Sequence, residues 1–204
     1  MPRISRLRIA TFIIVLEAAI LFPIAYSPWL RFDYTQTLSR WAAKAIPPNT
    51  VHIGDSITAG GRGFNSRRDI NLGASGLLTY QIASLIPKAL SFHPNHIAIM
   101  AGANDAIAER ADLTELRGLW QSICKIKGVV VTLATPTSSD VYNSRIAQIN
   151  RVVRRECAPR SVIDLAPKLA DRRGRIQARY TVDGVHLSDD ALEIWSSALA
   201  KFGV

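Results

Sequence analysis

From about residue 49 to the C-terminus, short unbroken apolar runs alternate with longer segments in which apolar residues recur every three or four positions. The unbroken runs predict strands over 50–55 (TVHIGD), 69–72 (DINL), 96–101 (HIAIMA), 128–134 (GVVVTLA) and 161–165 (SVIDL). They are rich in Val and Ile and do not alternate with polar residues, which suits strands covered on both faces. The periodic segments predict helices over about 77–90, 112–126, 139–157 and 188–202. Strand and helix in strict alternation, joined by right-handed crossovers, predict an α/β fold: a mostly parallel sheet of about five strands between two layers of helices.

The first 48 residues follow another pattern. Residues 9–30, IATFIIVLEAAILFPIAYSPWL, are apolar apart from Glu17 and a few small hydroxyl residues, and reach the ~20 residues needed to cross a bilayer core. A mid-helix acid costs on the order of 2.5–3.5 kcal/mol on insertion scales, which the surrounding Ile, Leu, Val and Phe residues outweigh. Arg3, Arg6 and Arg8 precede the segment, whereas Arg31 beyond it is offset by Asp33. That asymmetry predicts a cytoplasmic N-terminus (1–8), a transmembrane signal anchor (9–30), a juxtamembrane linker (31–48) ending at Pro47-Pro48, and a domain (49–204) on the exported side, periplasmic or extracellular. A cleaved signal peptide shares the same basic start and apolar run. Its best small-residue site, Ala25-Tyr26-Ser27, is followed by Pro28, a poor residue after a cut, and favours the uncleaved anchor.

Charge narrows the partners. The 204 residues carry 25 Lys and Arg against 16 Asp and Glu, a formal net charge of +9. Such an excess favours anionic partners: membrane surfaces, acidic glycans or nucleic acid. The last is not expected, because the basic residues come in short bursts without interleaved stacking aromatics. Two cysteines, Cys124 and Cys157, are too few for a zinc site. In an oxidising compartment they have two readings, a disulfide between the ends of neighbouring helices or two buried thiols.

In a parallel sheet, ligands bind beyond the carboxyl ends of the strands. Four stretches fall at or near that edge: Gly54-Asp55-Ser56, the segment Asn71 to Gly76, Gly102-Ala103-Asn104-Asp105, and Asp183-Gly184-Val185-His186 before the last helix. A serine hydroxyl becomes a nucleophile only with a base in reach and a group orienting that base. His186 is the natural base for Ser56, and Asp183, three residues earlier, the orienting carboxylate. His52 lies inside a strand, and His93 and His96 stand at the opposite edge. Acyl transfer also needs donors aimed at the developing oxyanion. The Ser56 N–H, a glycine N–H from the second stretch and the Asn104 amide would supply three.

GDSIT, NLGASG, GANDA and DGVHLS, in that order, resemble the four blocks of the SGNH hydrolases, also called the GDSL esterase and lipase family. The resemblance spans about residues 50–190 and implies a three-layer, flavodoxin-like sheet. It implies Ser56, Asp183 and His186 as catalytic residues, and an oxyanion hole of Ser56, Gly76 and Asn104, with Gly73 the alternative glycine donor. It implies no metal and no organic cofactor. Two departures stand out: Gly76 is followed by Leu77 where many relatives carry a polar residue, and little chain separates the blocks to build a lid.

A serine ester hydrolase is therefore expected, removing a short acyl group, such as acetyl, from an envelope carbohydrate or lipid while tethered by the N-terminal helix. The alternatives are an O-acyltransferase of envelope glycan assembly using the same triad, and a non-catalytic glycan-binding module. Arg62, Arg67 and Arg68 follow the nucleophile loop, and Arg172, Arg173, Arg175 and Arg179 precede Asp183. Both sets are candidates to rim the cleft for an anionic substrate.

Overall fold

The computed structural model describes residues 47–61, 64, 68–109 and 111–204. The anchor expected over 9–30 and nearly all of the linker lie outside the described residues, as do Arg62 and Arg67. Among the described residues no helix is long and apolar enough to cross a membrane.

Five strands, β1 (Thr50–Gly54), β2 (Asp69–Asn71), β3 (His96–Met100), β4 (Val129–Thr132) and β5 (Val162–Ile163), form one sheet in the order β2-β1-β3-β4-β5. Every pairing is parallel, with Val51 opposite Ile70 and Ile97, Ile99 opposite Val131, and Thr132 opposite Ile163. All five residues of β1 are buried, as an unbroken apolar run requires of a central strand. The order reverses at β1, and the loops after β1, β2 and β3 converge at this switch point.

The helices are α1 (Ser56–Ala59), α2 (Thr79–Ser84), α3 (Ile86–Leu90), α4 (Ala103–Ile107), α5 (Leu113–Ile123), α6 (Asp140–Glu156), α7 (Ala166–Leu169) and α8 (Asp189–Ala200). Side-chain caps set the starts of the three longest: Asp112 accepts from the Thr114 and Glu115 N–H groups, Ser139 from Tyr142, and Ser188 from Ala191. On one face of the sheet α8 delivers Trp195 and Leu199 onto Met100, Val130 and Ile163. Trp195 Nε1–H donates to Thr132 Oγ1 at 2.9 Å, and its ring meets Phe64 edge-on, which in turn stacks on His52. Burial holds that imidazole neutral, its pKa pushed down to about 4 despite the opposing pull of Asp69.

Three departures from the expected elements have local causes. The helix expected over 77–90 is two, because Pro87 has no N–H to continue the ladder; the chain turns at Leu85, whose N–H bonds back to Ile82. Strand β4 stops at Thr132 since the Asn150 amide pairs with both the N–H and the C=O of Ala134, at 3.0 and 2.9 Å, and replaces the next ladder step. Asp164 ends β5 by turning its carboxylate onto the Ala166 N–H at 3.0 Å. Cys124 and Cys157, at the C-terminal ends of α5 and α6, form a disulfide, which decides between the two readings of the pair.

Candidate active site

The nucleophile turn is built by close packing. A side chain at Gly54 would lie 2.0 Å from Thr58 Oγ1 and 2.8 Å from the Met100 carbonyl, so only glycine lets β1 pass so tightly into α1. Asp55, 1% exposed, caps α1 by accepting from the Ile57 N–H at 3.0 Å. Burial pushes its carboxyl up to about 6, against the pull of that N–H and of the more distant His186. Asp55 thus serves the turn and leaves Ser56 facing outward. As the first residue of its helix, Ser56 has no intrahelical acceptor for its N–H.

Three side chains tie the neighbouring loops: Asn71 to this turn, and Asp105 and Asn104 to the segment from Leu77 to Thr79. Asn71, at the end of β2, donates to Thr58 O at 2.7 Å and accepts from the Gly73 N–H at 2.8 Å. The buried Asp105 accepts from Thr79 at both its N–H (3.0 Å) and its hydroxyl (2.9 Å), while Asn104 Nδ2 donates to Leu77 O at 3.0 Å. Since the Gly73 N–H is already engaged, it has no donor to offer a substrate. Gly76 sits at φ +76°, in the left-handed region that favours glycine, and is exposed with no bonded acceptor for its N–H among the described residues. One hydrogen of the Asn104 amide is likewise left over. The Leu77 carbonyl itself holds this amide in place, whatever side chain follows Gly76.

The third component comes from the loop before α8. His186 Nε2 lies 2.9 Å from Ser56 Oγ, and its Nδ1 lies 2.6 Å from Asp183 Oδ2. With Nδ1 protonated and donating to the carboxylate, Nε2 is free to accept the serine proton. The other Asp183 oxygen accepts the N–H groups of Val185 (2.9 Å) and His186 (2.8 Å). The His186 N–H, then its ring, then the Val185 N–H hold the Asp183 carboxyl down at about 2.

Thr181 was not singled out in the sequence, yet it closes this loop. Its hydroxyl accepts from the Gly184 N–H and donates to the His186 C=O, each at 2.8 Å. The threonine two residues before Asp183 fits a hydroxyl-stapled turn, the one sequence signal that pointed to it. Beneath the loop, Ser138 N–H donates to the Gly184 C=O at 2.8 Å.

The arginines divide. Arg68 is placed at the amino edge of the sheet, where its carbonyl accepts from Asn49 and Thr50 at the start of β1. The length of β1, about 13 Å at ~3.3 Å per residue, separates it from the Ser56 edge, so Arg68 is not brought to the cleft. Arg175 is paired with Asp140 at the start of α6. Its hairpin reaches the carboxyl edge, Ile176 N–H bonding to Thr137 O one residue before Ser138.

Beside Ser56 opens a groove of about 450 Å³, lined by apolar residues (Ile57, Val182, Leu187, Leu192), Gly60, His186 and the polar Ser188 and Asp189.

The family model described as the GDSL-like Lipase/Acylhydrolase family matches residues 52–194. No curated protein matches. Among solved structures, a GDSL-like lipase from Bacteroides thetaiotaomicron superposes with a TM-score of 0.67 at 18% identity, covering 81% of this chain and 95% of its own. A lipase/acylhydrolase from Enterococcus faecalis gives 0.65 at 22%, covering 76% and 94%. An acetylxylan esterase from Geobacillus stearothermophilus gives 0.54 at 19%, covering 75% and 92%.

Proposed function

Starting from the fact that this chain belongs to the GDSL-like lipase/acylhydrolase family, we propose that it removes a short acyl group, such as acetyl, from an envelope carbohydrate or lipid. The observation that carries the reading is the unbroken line from Asp183 through His186 to Ser56, at 2.6 and 2.9 Å. Ser56 Oγ attacks the ester carbonyl as His186 Nε2 takes its proton. The Ser56 and Gly76 N–H groups and the Asn104 amide receive the oxyanion, and Asp183 steadies the imidazolium. The proton then passes from Nε2 to the departing alcohol, and water, activated by the same imidazole, releases the acid.

The location and substrate class rest on the sequence. The apolar segment 9–30 with its basic flank tethers the domain to a membrane and exports it, and the excess of Lys and Arg draws it to anionic surfaces and glycans. The fold is shared with an acetylxylan esterase, a carbohydrate deacetylase by name. A cleft open to water favours hydrolysis over transfer to a second alcohol.

Assays of the full-length protein in detergent with short-chain p-nitrophenyl esters test the triad. Ser56→Ala and His186→Ala are each expected to lower kcat by about 10³-fold or more. Activity that survives both substitutions overturns the assignment.

A further inference from the structure

The groove beside Ser56 is asymmetric with respect to the chemistry. His186 lines it, whereas Gly76 and Asn104, the oxyanion donors, do not. After attack, the reacting carbon carries the Ser56 oxygen, the oxyanion, the acyl carbon and the alcohol oxygen. The proton that Nε2 takes from Ser56 Oγ must be delivered to the alcohol oxygen for the old C–O bond to break, so that oxygen lies within reach of the imidazole. The substituent that continues past His186 is then the alcohol, and the acyl group points elsewhere.

On this basis, and resting on the hydrolase reading above, we propose that the groove is the subsite for the alcohol half of the ester, and that its occupant is a ring-sized carbohydrate. The steps balance. The C–Oγ bond forms as the proton moves to Nε2; the C–O bond to the sugar breaks as that proton moves to the sugar oxygen. Water then attacks the acyl-serine, gives one proton to Nε2 and releases the acid as Oγ regains it. Ile57 and Leu187 are buried and Leu192 partly so, giving an apolar floor, while Val182, 71% exposed, forms a lip. Ser188 and Asp189, at the start of α8, add polar residues to the same lining. A lining that sets apolar beside polar residues suits a pyranose, which presents a C–H face and hydroxyls together. A plain alkyl alcohol uses only the apolar part.

The test varies the two halves of the ester independently. Gly60 lies on the groove wall at φ −73°, and an added Cβ meets only the Ser56 and Ile57 carbonyls, at 3.5 and 3.6 Å, so Gly60→Leu narrows the groove without backbone strain. Val182→Trp at the exposed lip serves as a second variant whose folding is not in question. The full-length protein and both variants are assayed with methyl acetate, methyl octanoate and an O-acetylated methyl glucoside. The expected result is that kcat/KM for the acetylated glucoside relative to methyl acetate falls about tenfold or more, the cost of a mis-shaped pocket. The ratio of methyl octanoate to methyl acetate should stay where it was. If the octanoate ratio moves instead, the groove holds the acyl chain and the proposal is overturned; if neither ratio moves, the groove binds neither half and it is equally overturned. Absence of Ser56-dependent hydrolysis of all three esters is a different outcome, which removes the hydrolase reading and this subsite with it.

Discussion

The two halves of the proposed catalytic apparatus are held by opposite means. Gly54, Asp55 and Ile57 of the nucleophile turn are buried in the core and locked by packing against Thr58 and Met100. The acid–base loop stands out in solvent, with the side chains of His186 and Asp183 42% and 51% exposed, and is kept in shape by a few hydrogen bonds from Thr181, Ser138 and its own carboxylate. A buried turn ties activity to folding, while an exposed loop can lose its chemistry with little cost to the fold. Substitutions on the two sides should therefore separate into those read by kcat and those read by stability.

The largest effect belongs to the exposed side. Asp183→Asn keeps the size of the side chain but reverses the polarity of the contact to His186 Nδ1, stabilising the wrong tautomer. kcat is expected to fall by about 10⁴-fold, the cost of a misoriented triad imidazole, while the thermal midpoint moves little. A large loss of stability with modest loss of rate would reverse the comparison. Because the Asp183 carboxyl is held at about 2, its titration does not contribute to any loss of rate between pH 7 and 4.

Next comes Asp55→Asn on the buried side. Folding raises this carboxyl from 3.8 to about 6, so the folded protein holds the proton more tightly than the unfolded chain. Its contribution to stability is full below the unfolded value and is lost as pH rises through about 6. Asparagine caps α1 without that titration. The stability of the natural protein relative to the variant, from denaturant unfolding, is therefore expected to fall by about 2 kcal/mol between pH 4 and pH 7. A pH-independent difference would place Asp55 in water. His52, neutral in the fold with a pKa of about 4, acts in the opposite direction in both proteins and cancels from the comparison.

The smallest effect is expected at Thr181. Thr181→Val keeps the shape and removes both loop bonds. Net contributions of about 1 kcal/mol for each of the two bonds correspond to a fall of at most about 30-fold in kcat, with KM unchanged. Thr181→Ser, which restores the hydroxyl, should recover most of the rate. A purely structural role would instead lower the thermal midpoint in Val and leave the turnover of the folded fraction intact.

Why some of this could be read from the sequence and some not follows from the same contrast. Unbroken runs such as VVVT and HIAIM record burial on both faces, and they located all five strands and, through them, the carboxyl edge at which Ser56 follows β1 and Asn104 follows β3. The ends of β4 and β5 were misjudged since a side chain, Asn150 or Asp164, takes over the ladder, and no apolar pattern records that. Arg68 was grouped with the cleft by its nearness to Ser56 in the chain. It directly precedes β2, and in a parallel sheet the start of a strand lies at the edge away from the site. The groove is formed by α1, the Val182 loop and the first turn of α8, distant in sequence and undistinguished in composition.

The central claim is that Ser56 is a nucleophile activated by His186. A fluorophosphonate probe, which reacts with activated serines and not with ordinary ones, tests it on the full-length protein by peptide mass mapping. The account predicts a single stoichiometric adduct on Ser56, loss of ester hydrolysis in step with labelling, and no adduct in His186→Ala. An adduct on another serine, or equal labelling of Ser56 without His186, would contradict it.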